Sequence, residues 1–195
     1  MSGFECEYLY HYFDRVRGPF RSLTALPFEE AKAVQLAKQK ENPRSVNPRI
    51  DWFLKRRYAD EKAVREAFIA IGGKPVRSAP VYCTLGPNEN MKTWFDNVDY
   101  IRMPASAFDL DTVSFTYGDM FAVFNPELNT GEEWWGKVYR YGDIVRLVEK
   151  YGLPEDPVYD MLKGIYPKDK PINQYLKYME AQVWGDETLE HYKAT

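Results

Sequence analysis

Glu180 and Gln182 lie two residues apart in the segment "YMEAQVW", near the end of the 195-residue chain. In a β-strand this spacing puts both side chains on the same face. A carboxylate beside an amide can hold a ribose hydroxyl and stabilise positive charge on a sugar carbon. Those are the requirements for breaking an N-glycosidic bond through an oxocarbenium-like transition state, by analogy with glycoside hydrolysis. A strand glutamate that simply points to water is the alternative.

A histidine and a basic cluster are the other two features that could do chemistry. His11 is one of only two histidines and sits inside the aromatic segment "YLYHYF". Lys55, Arg56 and Arg57 are adjacent on a predicted helix. Neighbouring side chains of a helix point about 100° apart, so at most two of the three can face one ligand. The alternatives are a histidine satisfied within the fold and a solvated helix face.

The standard catalytic and nucleotide-binding motifs are missing from the chain. It contains no Walker loop, GxGxxG, GxSxG, HExxH or CxxC. The metal-ligating residue types are too few and too badly spaced for a metal centre, so we predict no metal. A pairing of Cys83 with His11 leaves a cysteine protease or transferase as a further alternative.

The composition predicts a single domain over residues 1–195. The formal net charge of −3 gives no overall attraction for duplex phosphate, although a local basic patch could still bind it. Two cysteines are too few for a disulfide scaffold, so we expect free thiols in a reducing cytosol. No apolar run approaches the ~18 residues of a membrane span. We therefore predict a cytoplasmic protein that does not bind a membrane.

Strands and helices follow one another without the regular βαβ order of parallel sheets, so we predict an α+β fold. Strands are expected where short apolar or aromatic runs lie between turn residues: 5–13, 79–86, 100–104, 112–118 and, with a closing turn, 175–186. Helices are expected where apolar residues recur on one face: 27–42, 50–71, 88–96, 143–151 and a short piece near 158–162. Asp60 marks the place where the second helix would break.

The order of these segments is similar to that of the DNA-targeting ADP-ribosyltransferase toxins and their relatives. In that family a histidine-bearing first strand leads into a loop and helix, and an Arg-Arg helix precedes an aromatic strand. A hairpin rich in aspartate and leucine follows, and a glutamate-bearing strand closes the chain. The corresponding stretches here are "YLYHYF", "FLKRRYADEKAVREAF", "SAPVYCTLG", "SAFDLDTVSFTYGDMFAVF" and "YMEAQVWGDETLEHY". The resemblance covers residues 8–192 and rests on the order of short, degenerate motifs.

The resemblance implies a fold and a reaction. The fold would have mixed, largely antiparallel sheets around a nucleotide cleft, with peripheral helices outside them. The reaction would be the cleavage of NAD with transfer of ADP-ribose. Glu180 would be the catalytic carboxylate, with Gln182 beside it in contact with the cofactor.

The resemblance also implies roles for residues of the first half of the chain. His11 would hydrogen-bond the NAD ribose, and Tyr12 would lie beside it in the NAD pocket. Tyr82 would stack near the nicotinamide. Either Arg56 or Arg57 would contact an NAD phosphate or the acceptor nucleotide. His11 would then lie among aromatic residues because their rings form the wall of the cleft.

Three features depart from the family's pattern. Tyr12 and Phe13 follow the histidine where the family tends to have a smaller or hydroxyl residue. Residues 126–142 have no clear counterpart, and the acidic chain disfavours a DNA acceptor. The acceptor therefore stays open between single-stranded nucleic acid, a protein side chain and a small molecule. The alternative function is a non-catalytic nucleotide- or protein-binding module on the same fold.

Overall fold

Five strands form one antiparallel sheet in the structure, a computed structural model that describes residues 6–43, 46–126, 131–153 and 178–194. Their spatial order is β3-β1-β2-β5-β4, with β1 (Tyr8–Asp14), β2 (Val81–Leu85), β3 (Val98–Pro104), β4 (Val113–Thr116) and β5 (Met179–Val183). The α-helices in the same ranges are α1 (Phe28–Glu41), α2 (Ile50–Ala70), α3 (Glu89–Lys92), α4 (Met120–Val123), α5 (Tyr141–Tyr151) and α6 (Glu187–Lys193). The prediction of an α+β fold is confirmed.

The two faces of the sheet differ in chemistry because side chains alternate along each strand. Phe115 lies opposite Ala181, and both belong to the main hydrophobic core on one face. Thr84 and Thr116 lie on either side of Glu180, and their buried side chains form the polar face. Glu180 and Gln182 share this polar face, as their two-residue spacing predicts.

β1 and β2 separate part-way along their length. They pair at Leu9–Leu85 and at Tyr10–Thr84, and no further pair joins them among the described residues, although β1 continues to Asp14. On its other side β1 keeps its register with β3 over the whole strand. The separation leaves a gap between β1 and β2.

α2 packs at the polar face of the sheet. Val64 and Phe68 lie four residues apart on one side of the helix and pack with Trp184, which follows β5. The helix is continuous, so the predicted break at Asp60 is wrong. Arg56 instead pairs with Asp60 at 3.1 Å, in the i,i+4 arrangement that supports a helix. The continuous helix α2 therefore places Arg56 and Arg57 next to the polar face of the sheet.

The region after β5 differs from the prediction. The ordered chain was expected to end with a strand and turn over 175–186, but α6 follows this segment and buries Leu189 in the main core. The predicted helical piece near 158–162 lies outside the described residues. Within the described ranges, no helix combines the length and the apolar character that crossing a bilayer requires.

Candidate active site

A cavity of about 550 Å³ lies beside the gap between β1 and β2. β1, β2, α2, α4 and β5 all contribute to its wall, so it collects residues from both ends of the chain. The residues singled out from the sequence that line it are His11, Tyr12, Phe13, Arg57, Tyr82, Cys83 and Glu180. The cavity is therefore the candidate active site.

Glu180 lines the cavity but is almost fully buried, with 5% of its surface exposed. Its Oε1 accepts a hydrogen bond from Gln182 Nε2 at 2.9 Å, and its Oε2 lies 3.4 Å from the Tyr178 hydroxyl. Burial, and then the charge of Asp119, raise the pKa of Glu180 to about 8. The hydrogen bond from Gln182 and the charge of Arg57 oppose this rise. Glu180 is thus a carboxyl group that changes its charge close to neutral pH.

Gln182 is completely buried and positions Glu180. Its Nε2 donates to Glu180 and, at 3.1 Å, to Thr116 Oγ1, while its Oε1 accepts from Ser114 Oγ at 2.7 Å. Trp184 Nε1 donates in turn to Ser114 Oγ at 2.9 Å. The geometry argues against a direct contact of Gln182 with the cofactor, because its amide is fully buried and bonded within the sheet, so that contact stays a prediction. Its effect on a ligand acts through Glu180.

Of the two adjacent arginines, Arg57 faces the cavity. Its Nε donates to Glu61 Oε1 at 3.1 Å, and its guanidinium lies 4.4 Å from the centre of the Tyr82 ring. Arg56 points elsewhere and donates to the Phe121 carbonyl oxygen at 2.7 Å. A contact with phosphate or acceptor therefore stays a prediction for Arg57, whereas the Arg56 guanidinium is engaged by protein groups.

Glu61 is a buried carboxylate that sequence reasoning missed. It is 4% exposed and accepts hydrogen bonds from Arg57, from the Tyr82 hydroxyl at 2.7 Å and from Thr24 Oγ1 at 2.5 Å. Burial alone would lower the pKa of Arg57, but Tyr82, Glu61 and the other acidic groups nearby raise it above its usual value. A buried charge needs such partners to be tolerated. The i,i+4 spacing of Arg57 and Glu61 on α2 is the sequence signal that could have found this pair.

The His11 ring bridges the gap between β1 and β2. Its Nδ1 donates to the Tyr82 carbonyl oxygen at 2.8 Å, and its Nε2 accepts from the Phe20 N–H at 2.8 Å. Because a carbonyl only accepts and an N–H only donates, the ring is neutral with its proton on Nδ1. Burial lowers the pKa of His11 to about 4. A ribose hydroxyl could bond to the ring only by displacing one of these partners, so the predicted contact with NAD rests on the resemblance alone.

Tyr12 lines the cavity with a ring whose hydroxyl is held by the protein. The hydroxyl accepts a hydrogen bond from the Asn88 N–H at 2.8 Å, and the ring stacks on Tyr10 at 6.3 Å between centres. Burial raises the pKa of Tyr12 to about 12. Tyr12 is therefore a fixed part of the wall, and its contact with a cofactor stays a prediction.

The geometry argues against a catalytic pair of Cys83 and His11. Cys83 is 3% exposed and belongs to the main core. Burial raises the pKa of its thiol, whereas a nucleophilic cysteine needs a lowered pKa. Both ring nitrogens of His11 are bonded to the backbone.

Two further cavity residues, Asp119 and Tyr178, were missed from the sequence. Asp119 Oδ1 accepts from the Phe121 N–H at 2.8 Å, which caps α4, and Oδ2 accepts from the Tyr178 hydroxyl at 2.9 Å. The same hydroxyl lies 3.4 Å from Glu180, so it stands between the two carboxyl groups. Asp119 lies in "FTYGDMF", a stretch that the resemblance covers without giving its aspartate a role.

Arg21 and Lys38 line this cavity and also line an adjoining cavity of about 1160 Å³, whose lining includes Arg57 and Tyr82 as well. Neither forms an ion pair with any residue that the structure describes. Burial, and then the charge of Arg17, lower the pKa of Lys38. An anion bound between the two cavities would offset this repulsion.

Comparison with known proteins gives no function for this chain, so a function has to be argued from the cavity. No family profile, no curated protein and no solved structure matches this chain. Within the described ranges, no group of three or more His, Cys, Asp or Glu side chains is arranged to hold a metal ion.

Proposed function

We propose that the protein is an NAD-dependent ADP-ribosyltransferase, which cleaves the nicotinamide glycosidic bond and transfers ADP-ribose to an acceptor. The observation that carries the proposal is that Glu180, Arg57 and Tyr82, which come from three distant segments, line one cavity. Gln182 holds the Glu180 carboxyl in a fixed position there. The segment order that resembles the ADP-ribosyltransferases assigns the same residues to one site.

In this reaction Glu180 acts on the nicotinamide ribose. Its carboxylate accepts a hydrogen bond from a ribose hydroxyl and stabilises positive charge on C1′ while the C1′–N1 bond breaks. The bonding electrons go to N1, and nicotinamide leaves as a neutral molecule. The positive charge that develops on C1′ favours the ionised form of Glu180, because an opposite charge stabilises a carboxylate, so this interaction is strongest in the transition state.

Charge along the cavity fits the charge of NAD. Near Glu180 the carboxylates of Glu61 and Asp119 act on the guanidinium of Arg57, and Glu180 adds a further negative charge when it is ionised. That excess of acidic groups favours the cationic nicotinamide ring. At the junction with the second cavity, Arg21 and Lys38 would bind the diphosphate, since charge-assisted hydrogen bonds from these cations to phosphate are strong.

Tyr82 would contact the nicotinamide from one side only. Arg57 already occupies one face of the Tyr82 ring, at 4.4 Å from its centre. Stacking on nicotinamide would therefore use the opposite face or the ring edge. In this proposal Arg57 also supports the ring from behind.

The second candidate is a non-catalytic nucleotide- or protein-binding module on the same fold. The raised pKa of Glu180 favours it, because a protonated carboxyl does not stabilise an oxocarbenium ion. The commitment of both His11 ring nitrogens to the backbone favours it as well. Release of nicotinamide separates the two candidates.

Calorimetric titration with NAD, followed by measurement of released nicotinamide, tests the proposal. The wild type should bind NAD and release nicotinamide. Glu180→Gln should keep its NAD affinity within about threefold while release falls by ~10²–10³, because the lost charge acts mainly in the transition state. Glu190→Gln, at an exposed glutamate of α6, is the matched control and should behave as the wild type.

Each outcome of these measurements supports or contradicts one of the candidate functions. A wild type that binds NAD but releases no nicotinamide, with water or with single-stranded nucleic acid or protein added, would be a binding module. A wild type that does not bind NAD would contradict the enzyme. An equally active Glu180→Gln variant would place the catalytic carboxylate elsewhere.

We propose that the protein is located in the cytoplasm and that its acceptor belongs to one of three classes. Cys6 and Cys83 are free thiols, which suits a reducing compartment. The net charge of −3 disfavours duplex DNA at physiological salt. Single-stranded nucleic acid, a protein side chain and a small molecule are the acceptors that this proposal admits.

A further inference from the structure

We infer that Asp119 is a second catalytic carboxylate, which takes the proton from the acceptor, and that the acceptor is therefore a neutral O–H or N–H group. This inference rests on the proposed transferase function and narrows the acceptor class that it leaves open. Asp119 lines the same cavity as Glu180, and the Tyr178 hydroxyl stands between the two carboxyl groups.

The protein engages the two carboxyl groups differently. Glu180 is 5% exposed and is held by the amide of Gln182. Asp119 is half-buried, and each of its oxygens accepts one hydrogen bond from a protein group, the Phe121 N–H or the Tyr178 hydroxyl. A carboxylate oxygen can accept two hydrogen bonds, so Asp119 keeps capacity for a proton donor in the cavity.

Two carboxyl groups in unlike environments are a common basis for dividing acid–base work. Glu180 belongs to β5 and is held by Gln182, which places its carboxyl to act on the ribose. Asp119, fixed as the cap of α4, is placed to act on the incoming nucleophile. The charged and titratable groups that act on Asp119 or feel its charge come from α2, from β5 and from the residue before β5, and they are Arg57, Asp60, Tyr178 and Glu180. Arg57 is the cation among them and offsets part of the carboxylate charge.

The transfer step balances with Asp119 as the base. The C1′–N1 bond breaks and its electrons leave with nicotinamide, while a lone pair of the acceptor forms the new bond to C1′. The acceptor proton passes to the Asp119 carboxylate and then to solvent. A positioned base accelerates such a proton transfer by about 10²–10⁴.

The same arrangement disfavours a carboxylate as acceptor. A carboxylate carries no proton to remove, so it gains nothing from a base. Its negative charge would also be repelled by Asp119 and by ionised Glu180. A hydroxyl or a neutral N–H group has neither disadvantage.

The test uses the full chain with NAD and two simple acceptors, methanol and acetate, and detects the products by mass spectrometry. The wild type should form methyl ADP-ribose and no acetate ester. Asp119→Asn should lower transfer to methanol by about 10² while its NAD dissociation constant changes by less than about threefold. Asparagine caps a helix as well as aspartate does, so we expect the variant to fold.

Asp119→Ser is a second variant that keeps a helix cap and removes the base, and thermal unfolding checks both variants. Transfer to methanol within about twofold of wild type in a folded variant overturns the inference. Equal transfer of wild type to acetate and methanol overturns it too, as does a variant that loses NAD affinity with unchanged turnover. A wild type that releases no nicotinamide overturns the proposed function, and the inference with it.

Discussion

The guanidinium of Arg57 lies over the Tyr82 ring, and both side chains donate hydrogen bonds to the same oxygen of Glu61. Arg57 and Glu61 come from α2 and Tyr82 from β2, so this contact ties the helix to the sheet at the cavity wall. A planar guanidinium can stack and hydrogen-bond at once, which an ammonium group cannot do as well. The contact therefore makes arginine the required residue at position 57.

Arg57→Lys should weaken NAD binding by about tenfold or more, because the ammonium keeps the charge but loses the stacked, forked geometry. Arg56→Lys is the matched control at the adjacent helix position, where the side chain donates to the Phe121 carbonyl. Its NAD affinity should change by less than about threefold. Calorimetric titration measures both affinities. Equal and negligible effects would make the basic cluster a structural feature of α2.

The titration of Glu180 should make the protein less stable as pH rises. The pKa of this group is 4.5 in its ordinary state and about 8 in the fold, so the folded state holds a proton that the unfolded state releases between these values. Stability is then lost as pH rises through that window. Glu180→Gln should be more stable than wild type at about pH 9, by on the order of 1–3 kcal/mol, and nearly equal at about pH 4.

Urea unfolding at several pH values measures this difference. Glu190→Gln, at an exposed position, should follow the wild type throughout. Parallel curves for wild type and Glu180→Gln would show that Glu180 does not titrate in that range.

His11 should act in the opposite sense and destabilise the protein in acid. Its pKa is lowered from 6.5 to about 4 in the fold, so only the unfolded state takes up a proton between these values. Stability is lost as pH falls through this window. His11→Gln should cost about 1–3 kcal/mol at neutral pH, because one buried backbone group loses its partner, but should show less acid sensitivity. His191→Gln, at the exposed second histidine, should leave the acid sensitivity unchanged.

Chemical unfolding between about pH 7 and pH 5 checks the His11 prediction, because most carboxyl groups titrate below that range. A stability difference between wild type and His11→Gln that is the same at both pH values would contradict the prediction.

Gln182→Leu should lower turnover more than NAD affinity. Leucine removes the donor that holds Glu180 Oε1 and leaves the hydroxyls of Ser114 and Thr116 without their amide partner. We expect kcat to fall by about tenfold or more, with KM within about threefold, and stability to fall by about 1–3 kcal/mol. Steady-state kinetics separate these terms. A large rise in KM at constant kcat would instead indicate that Gln182 contacts NAD directly.

The sequence predicts the strands and the shared face of Glu180 and Gln182 because those features depend on local alternation. It does not predict which of the two side chains reaches the cavity. That depends on β4, whose Ser114 and Thr116 bond the Gln182 amide from the neighbouring strand. The pairing of β4 with β5 joins segments far apart in the sequence, and local periodicity carries no information about it.

Glu61 and Asp119 were missed for a related reason. An acidic residue on a helix or in a turn has no local signature that separates a buried partner from a solvated one. Their roles arise from partners that are distant in sequence: Tyr82 of β2 for Glu61, and Tyr178, just before β5, for Asp119. The i,i+4 spacing of Arg57 and Glu61 could be seen in the sequence, but the burial of this pair could not be predicted from it.

The gap between β1 and β2 gives the cleft a preorganised shape. The His11 ring follows the last paired residues of β1 and β2, and it bonds to the Tyr82 carbonyl of β2 and to the Phe20 N–H of the loop after β1. Protein groups therefore hold the gap without a ligand. The free-energy cost of separating β1 from β2 is then met during folding, so it does not weaken the binding of a ligand. A ligand would meet an already open site, so association should be a single step with little backbone movement.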